Sequence, residues 1–75
     1  MSELKKLGGG TFHERLQYLR EHKRPVISRR VASELIGLSH DALRRYERGE
    51  REPRRPELLL IADYYGVDLD ELCRD

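Results

Sequence analysis

The feature that most constrains this chain is a series of paired stop and start signals for short helices. Gly37, Gly49 and Gly66 each follow a stretch of apolar residues at helical spacing, and glycine readily adopts the left-handed conformation that closes a helix. Only Leu38 separates Gly37 from Ser39, a residue type that favours helix starts. These signals predict several short helices joined by tight turns.

The first two predicted helices begin at capping residues. Thr11, with Glu14 three residues later, has the pattern of a capping box and predicts a helix over Phe12–His22. Ser28 is the expected cap of a second helix, Arg29–Ile36. The buried side of this second helix is expected to hold Ala32, Leu35 and Ile36.

The third predicted helix covers residues 40–48, with Ser39 as its cap and Leu43 and Tyr46 facing inward. It is closed by Gly49.

A proline and a second capping residue mark the end of the chain. Pro56 is expected at the first position of a fourth helix that stops before Gly66. Asp68 caps a last short helix, with Leu69 and Leu72 facing inward. No alternating strand pattern competes, so the sequence predicts an all-α fold, a compact bundle of five short helices.

The length of 75 residues allows one domain with a small core. We expect a flexible arm over residues 1–10, which ends in three glycines, and a folded domain over residues 11–75. Cys73 is the only cysteine and is expected to be a small core residue. No apolar run is long enough to span a membrane and no signal peptide precedes the domain, so we expect a cytoplasmic, nucleoid-associated protein.

Charge is distributed unevenly along the chain although the net charge is only +1. Residues 20–56 hold 11 Lys or Arg against 6 Asp or Glu, whereas residues 57–75 hold 1 against 6. A basic centre favours a polyanionic partner, and a solvated charged surface is the alternative.

The basic centre coincides with two short helices joined through a glycine turn, residues 28–49. Helices linked so tightly cross at a steep angle, which leaves the start of the second one exposed. Arginine offers a planar fork of donors that matches the edge of guanine in the major groove. The residues expected to read bases are His40, Asp41, Arg44 and Arg45.

Phosphate contacts are expected at the helix starts and in the basic loop that follows the third helix. Backbone N–H groups at a helix start and arginine side chains both suit an anion. The residues expected to contact phosphates are Ser28, Arg29, Arg30, Ser39, Arg48, Arg51 and Arg54.

The chain resembles the Cro/C1-type repressor family, the lambda-repressor-like helix-turn-helix domains of phage and bacterial regulators. The matching segments cover about residues 12–73 and read LREHK, ISRRVASELIGLS, LRRYERGEREP and LLLIADYYGVDLDEL. The resemblance implies a transcriptional regulator that binds double-stranded operator DNA, usually an inverted repeat, as a homodimer. One alternative is that this pair forms only on the DNA. It also implies an ion pair between Arg20 and Glu47 that ties the first helix to the third.

Two other classes of function are weighed against DNA binding. An antitoxin-like or adaptor module would bind a protein partner through Leu69, Leu72, Cys73 and the acidic C-terminal segment, with DNA binding secondary. An enzyme is not expected, because the three histidines lack metal-ligand spacing and the domain is too small for a preorganised cleft. We therefore expect no catalytic residue, no metal and no cofactor.

Overall fold

The computed structural model describes residues 11–73, which fold into helices and connecting turns without a β-strand. The five helices, in chain order, are α1 (Phe12–His22), α2 (Arg29–Ile36), α3 (Ala42–Glu47), α4 (Arg55–Tyr65) and α5 (Leu69–Cys73). The predicted all-α bundle of five short helices is confirmed. The predicted N-terminal arm, residues 1–10, lies outside the described residues, as do residues 74 and 75.

Helix α1 begins at the predicted capping box. The backbone N–H of Thr11 donates to Glu14 Oε1 at 2.9 Å, and the backbone N–H of Glu14 donates to Thr11 Oγ1 at 3.4 Å. The hydrogen bond from the Thr11 backbone, which favours the carboxylate, lowers the pKa of Glu14. The predicted bounds of α1 are therefore confirmed.

The turn between α2 and α3 is set by Gly37, which has a φ of 98°. The N–H groups of Gly37 and Leu38 donate to the carbonyls of Glu34 and Ser33, at 3.2 and 2.8 Å. These two bonds form the helix-closing motif that requires a left-handed residue, a conformation costly for any residue with a Cβ.

The core lies where α3 packs against α1 and α2, and where α5 packs against α1 and α4. Its buried apolar residues are Leu16, Ala32, Ile36, Ala42, Leu43, Tyr46, Ile61, Ala62 and Leu72. Leu43 and Tyr46 face inward as predicted. Burial of these side chains supplies most of the stability of so small a domain.

The expectation that Leu35 is buried is wrong, because its side chain is 61% exposed. The buried face of α2 instead consists of Ala32, Ser33 and Ile36. At about 100° per residue, Leu35 lies on the other side of the helix from Ser33. The small, buried Ser33 side chain contacts the start of α3 through its hydroxyl.

Helix α3 is shorter than predicted and begins at Ala42. Asp41, with φ −98° and ψ 5°, is the residue before the helix, and the N–H of Ala42 donates to the carbonyl of Ser39 at 3.1 Å in a preceding turn. Ser39 is thus not the helix cap. The cap is supplied by α2, since Ser33 Oγ accepts from the buried N–H of Leu43 at 3.2 Å.

Replacing Ser33 with alanine is expected to lower the free energy of unfolding by about 1–3 kcal/mol, because it leaves the buried N–H of Leu43 without an acceptor. Urea denaturation followed by circular dichroism measures the change. Ser39→Ala is the matched control and is expected to change stability by no more than about 0.5 kcal/mol. An equal loss in the two variants would show that the hydroxyl of Ser33 does not cap α3.

The last two helices differ from expectation in small ways. Helix α4 begins at Arg55, so Pro56 is its second residue, still within the first turn where no N–H is needed. Cys73 is exposed and is not a core residue. A buried cation that the sequence did not indicate, Arg15, is only 2% exposed and donates from Nε to the carbonyl of Leu72 at 3.1 Å.

Candidate nucleic-acid interface

The start of α2 presents the first group of predicted phosphate contacts. Ser28 is the N-cap, and its Oγ accepts from the N–H of Val31 at 3.2 Å. Ser28 and Arg30 are exposed and Arg29 is half-buried. The free N–H groups of this first turn carry the positive end of the helix dipole, which suits an anion.

The start of α3 presents the predicted base-reading residues. Arg45 is exposed on the helix and Arg44 is half-buried beside it. His40 and Asp41 are exposed as well, but they lie in the turn that precedes α3. The solvent-facing side of this region therefore combines one exposed guanidinium with an imidazole and a carboxylate.

Two of the predicted contacts already have acidic neighbours. His40 Nε2 lies 3.5 Å from Glu34 Oε2, and Arg48 Nε donates to Glu50 Oε2 at 2.9 Å. Both pairs are exposed, so each contributes little to stability. Their effect is to fix where the imidazole and the Arg48 guanidinium are held when no other partner is present.

A groove of about 1000 Å³ lies between the start of α3 and the loop that leads into α4. Residues of both predicted classes line it: Ser39, His40, Asp41, Arg45, Arg51 and Arg54. The other predicted contacts, which are Ser28, Arg29, Arg30, Arg44 and Arg48, do not line it. The structure thus brings the turn before α3, the exposed side of α3 and the basic loop to one concave surface. The start of α2 forms a separate patch.

Acidic residues that the sequence analysis did not single out also line this groove. Glu52 lies in the loop, and Glu57 lies in the first turn of α4, where its Oε1 accepts from the N–H of Arg54 at 3.0 Å. The spacing of Arg54 and Glu57 is that of a capping pair, which is the signal that could have indicated this contact.

The orientation of α3 is fixed on its buried side by an ion pair between Arg20 and Glu47. Arg20 Nε and Nη2 donate to the two carboxylate oxygens of Glu47 at 2.9 and 3.1 Å, and Nη1 donates to the carbonyl of Ile27 at 3.1 Å. The Glu47 side chain is completely buried and that of Arg20 is 13% exposed. One guanidinium therefore connects α1, the segment before α2 and α3.

The Glu47 carboxylate also affects the pKa of Arg20. Its hydrogen bonds raise that pKa, and burial opposes this only in part, so the guanidinium keeps its charge at physiological pH. Burial raises the pKa of the nearby Tyr65, so its phenol stays neutral.

The surface expected for a protein-binding alternative is only partly accessible. Leu72 is completely buried, and Leu69 is partly buried against the core. Cys73 and the acidic side chains of Asp68 and Asp70 are exposed.

Neither a metal-binding cluster nor a membrane-spanning helix occurs in the described part of the chain. Residues 11–73 contain no group of three or more histidine, cysteine or acidic side chains placed to hold a metal ion. Among the same residues, no helix is both long and apolar enough to cross a bilayer.

Comparison with known proteins agrees with the geometry of α2, the Gly37 turn and α3. The model of the helix-turn-helix domain family matches residues 12–74, which include every described helix. No curated protein and no solved structure matches the chain. The match extends over most of the 75 residues, and the chain therefore belongs to the helix-turn-helix domain family, a family of DNA-binding domains.

Proposed function

We propose that this chain is a sequence-specific transcriptional repressor of the Cro/C1 type that reads double-stranded DNA with α3 in the major groove. The observation that carries the proposal is the exposed Arg45 on a short helix whose rear face is locked by the Arg20–Glu47 pair. A guanidinium held on a fixed helix selects guanine through its O6 and N7 acceptors. His40, Asp41 and Arg44 complete the proposed reading surface.

Phosphate contacts on both sides of α3 are proposed to set the register of the domain on DNA. The start of α2, with Ser28 and Arg30, would contact one backbone, while Arg51 and Arg54 would contact the other. The further proposed phosphate contacts are Arg29, Ser39 and Arg48. These contacts add affinity for any sequence and leave discrimination to α3.

The domain is proposed to bind an inverted repeat as a two-fold pair that assembles on the DNA, in the cytoplasm and on the nucleoid. Two recognition helices related by a two-fold axis reach successive major grooves when the half-sites are about 34–36 Å apart. The operator is therefore expected to have two-fold symmetry.

Selection of bound duplexes from a random pool tests this function. Enrichment of one motif with two inverted halves, bound by two copies of the chain in a gel shift, is the expected result. Failure of the chain to bind any duplex at low salt would contradict the proposal. Recovery of one stoichiometric protein partner, with DNA binding absent without it, would favour the adaptor alternative.

Affinity for the selected duplex is expected to fall steeply with salt, because each phosphate contact displaces counterions. The slope of log K against log salt is roughly −0.9 per phosphate contacted, so five contacting arginines per chain would give about −4.5. Titration at several salt concentrations by fluorescence anisotropy measures this slope. A slope close to zero would contradict phosphate contacts by the arginines of α2 and of the loop after α3.

A further inference from the structure

Tyr46 has a polar atom that the packing of the core does not use. The residue is only 6% exposed and its ring belongs to the hydrophobic core. Tyr46 also lines the groove between α3 and the loop leading into α4. Within residues 11–73 its hydroxyl makes no hydrogen bond, and it is not one of the buried polar atoms that lack a partner, so this oxygen keeps contact with solvent.

Two charged side chains that line the groove with Tyr46 act on this hydroxyl. Burial raises the pKa of Tyr46 most, the carboxylate of Glu57 raises it further, and the guanidinium of Arg51 opposes them. Glu57 and Arg51 both line the groove. The phenol therefore keeps its proton at neutral pH and is available as a hydrogen-bond donor.

The groove does not attract an anion by excess charge alone. Three arginines and three acidic residues line it, so their formal charges balance. An oriented neutral donor adds affinity for a phosphate there without adding to the net charge. The carboxylate of Glu57 is held on the Arg54 N–H at 3.0 Å, which ties this acid to the start of α4.

We propose that the hydroxyl of Tyr46 donates a hydrogen bond to a DNA phosphate seated in this groove beside Arg51. The inference rests on the proposed function, since α3 in the major groove brings the adjoining backbone over the loop that holds Arg51 and Arg54. The sequence indicated Tyr46 only as a core residue. The structure gives this residue a second role that its ring alone does not require.

Tyr46→Phe tests the role of the hydroxyl, because it retains the buried ring and removes one oxygen. Affinity for the selected duplex and for an unrelated duplex is expected to fall by the same factor, about 10- to 150-fold, as a hydrogen bond to a charged group is lost. The salt slope is expected to stay unchanged, since a neutral donor displaces no counterion. Arg51→Gln, in contrast, is expected to reduce the slope by about 0.9.

Two controls separate the contact from a structural effect. Thermal unfolding of Tyr46→Phe is expected to match the unchanged chain, because no hydrogen bond within residues 11–73 is lost. Tyr64→Phe, in α4 and away from the groove, is expected to bind DNA as the unchanged chain does. If Tyr46→Phe binds as tightly as the unchanged chain, the inference is wrong even though the proposed function holds.

A duplex with a single methylphosphonate identifies the contacted phosphate. At that position, loss of the anionic oxygen is expected to weaken binding by the unchanged chain more than binding by Tyr46→Phe. Equal weakening of both proteins at every position would overturn the assignment. Failure of the unchanged chain to bind DNA at all is a different result, which contradicts the proposed function itself.

Discussion

Replacing Glu47 with alanine is expected to lower the free energy of unfolding by about 3–5 kcal/mol, the cost of breaking a buried ion pair from one side. Arg20 would keep its charge but lose both carboxylate contacts, at 2.9 and 3.1 Å. A 75-residue domain has a total stability of about 4–11 kcal/mol at the usual value per residue. The change would therefore consume much of the stability, as urea denaturation followed by circular dichroism would show.

The exposed pair of Arg48 and Glu50 provides a matched control for this prediction. Its Nε–Oε2 distance of 2.9 Å equals that of the buried pair, but both side chains are well exposed. Glu50→Ala is therefore expected to cost no more than about 1 kcal/mol. If Glu47→Ala cost no more than Glu50→Ala, the buried pair would not hold α3 against α1.

The second large effect is expected for Arg45→Ala, which removes the exposed guanidinium of α3, whereas that of Arg44 is half-buried. Loss of a bidentate contact to guanine costs about 1–3 kcal/mol, or about 5- to 150-fold in affinity for the selected duplex. Affinity for unrelated duplexes is expected to change far less. The ratio of the affinity for the selected duplex to the affinity for unrelated duplexes therefore falls. Competition binding with selected and unrelated duplexes measures this ratio.

Arg30→Gln is the matched control for Arg45→Ala, because it removes one exposed arginine at the start of α2. This substitution is expected to lower the affinity for selected and unrelated duplexes by the same factor. It is also expected to reduce the slope of log K against log salt by about 0.9. If the two variants changed the ratio equally, specificity would not depend on α3.

Local signals in the sequence were sufficient for helix order and for most helix ends. The Thr11 and Glu14 pair and the glycines at 37 and 66 act through the backbone of their own neighbours, so their effect does not depend on the rest of the fold. The five helices could therefore be predicted before any tertiary contact was known.

Features that depend on contacts between helices could not be predicted in this way. Ser39 has the right residue type for a helix cap, but Ser33 of α2 reaches the N–H of Leu43 and serves as the cap instead. Helix α3 consequently starts at Ala42, and His40 lies in the turn before it. The exposure of Leu35 likewise follows from where α3 packs on α2 rather than from periodicity alone.

The sequence predicted the cations of the candidate site and one of its carboxylates, Asp41, but not the other acidic residues. The spacing of the arginines indicated a basic surface, but the carboxylates that face it come from other positions, such as Glu34 beside His40 and Glu57 in the groove. Tyr46 was predicted to be buried, and this is confirmed. That Tyr46 also lines the groove depends on where the loop before α4 lies, which no local sequence pattern predicts.

Substitution of single guanines by 7-deazaguanine in the selected duplex tests the central claim most directly, because it removes one acceptor from the major groove and leaves every phosphate in place. At the position read by Arg45, the substitution is expected to weaken binding by the unchanged chain about 10-fold and to have no further effect on Arg45→Ala. If each guanine were substituted in turn and every substituted duplex bound as tightly as the unsubstituted one, this would contradict reading of guanine by α3 in the major groove.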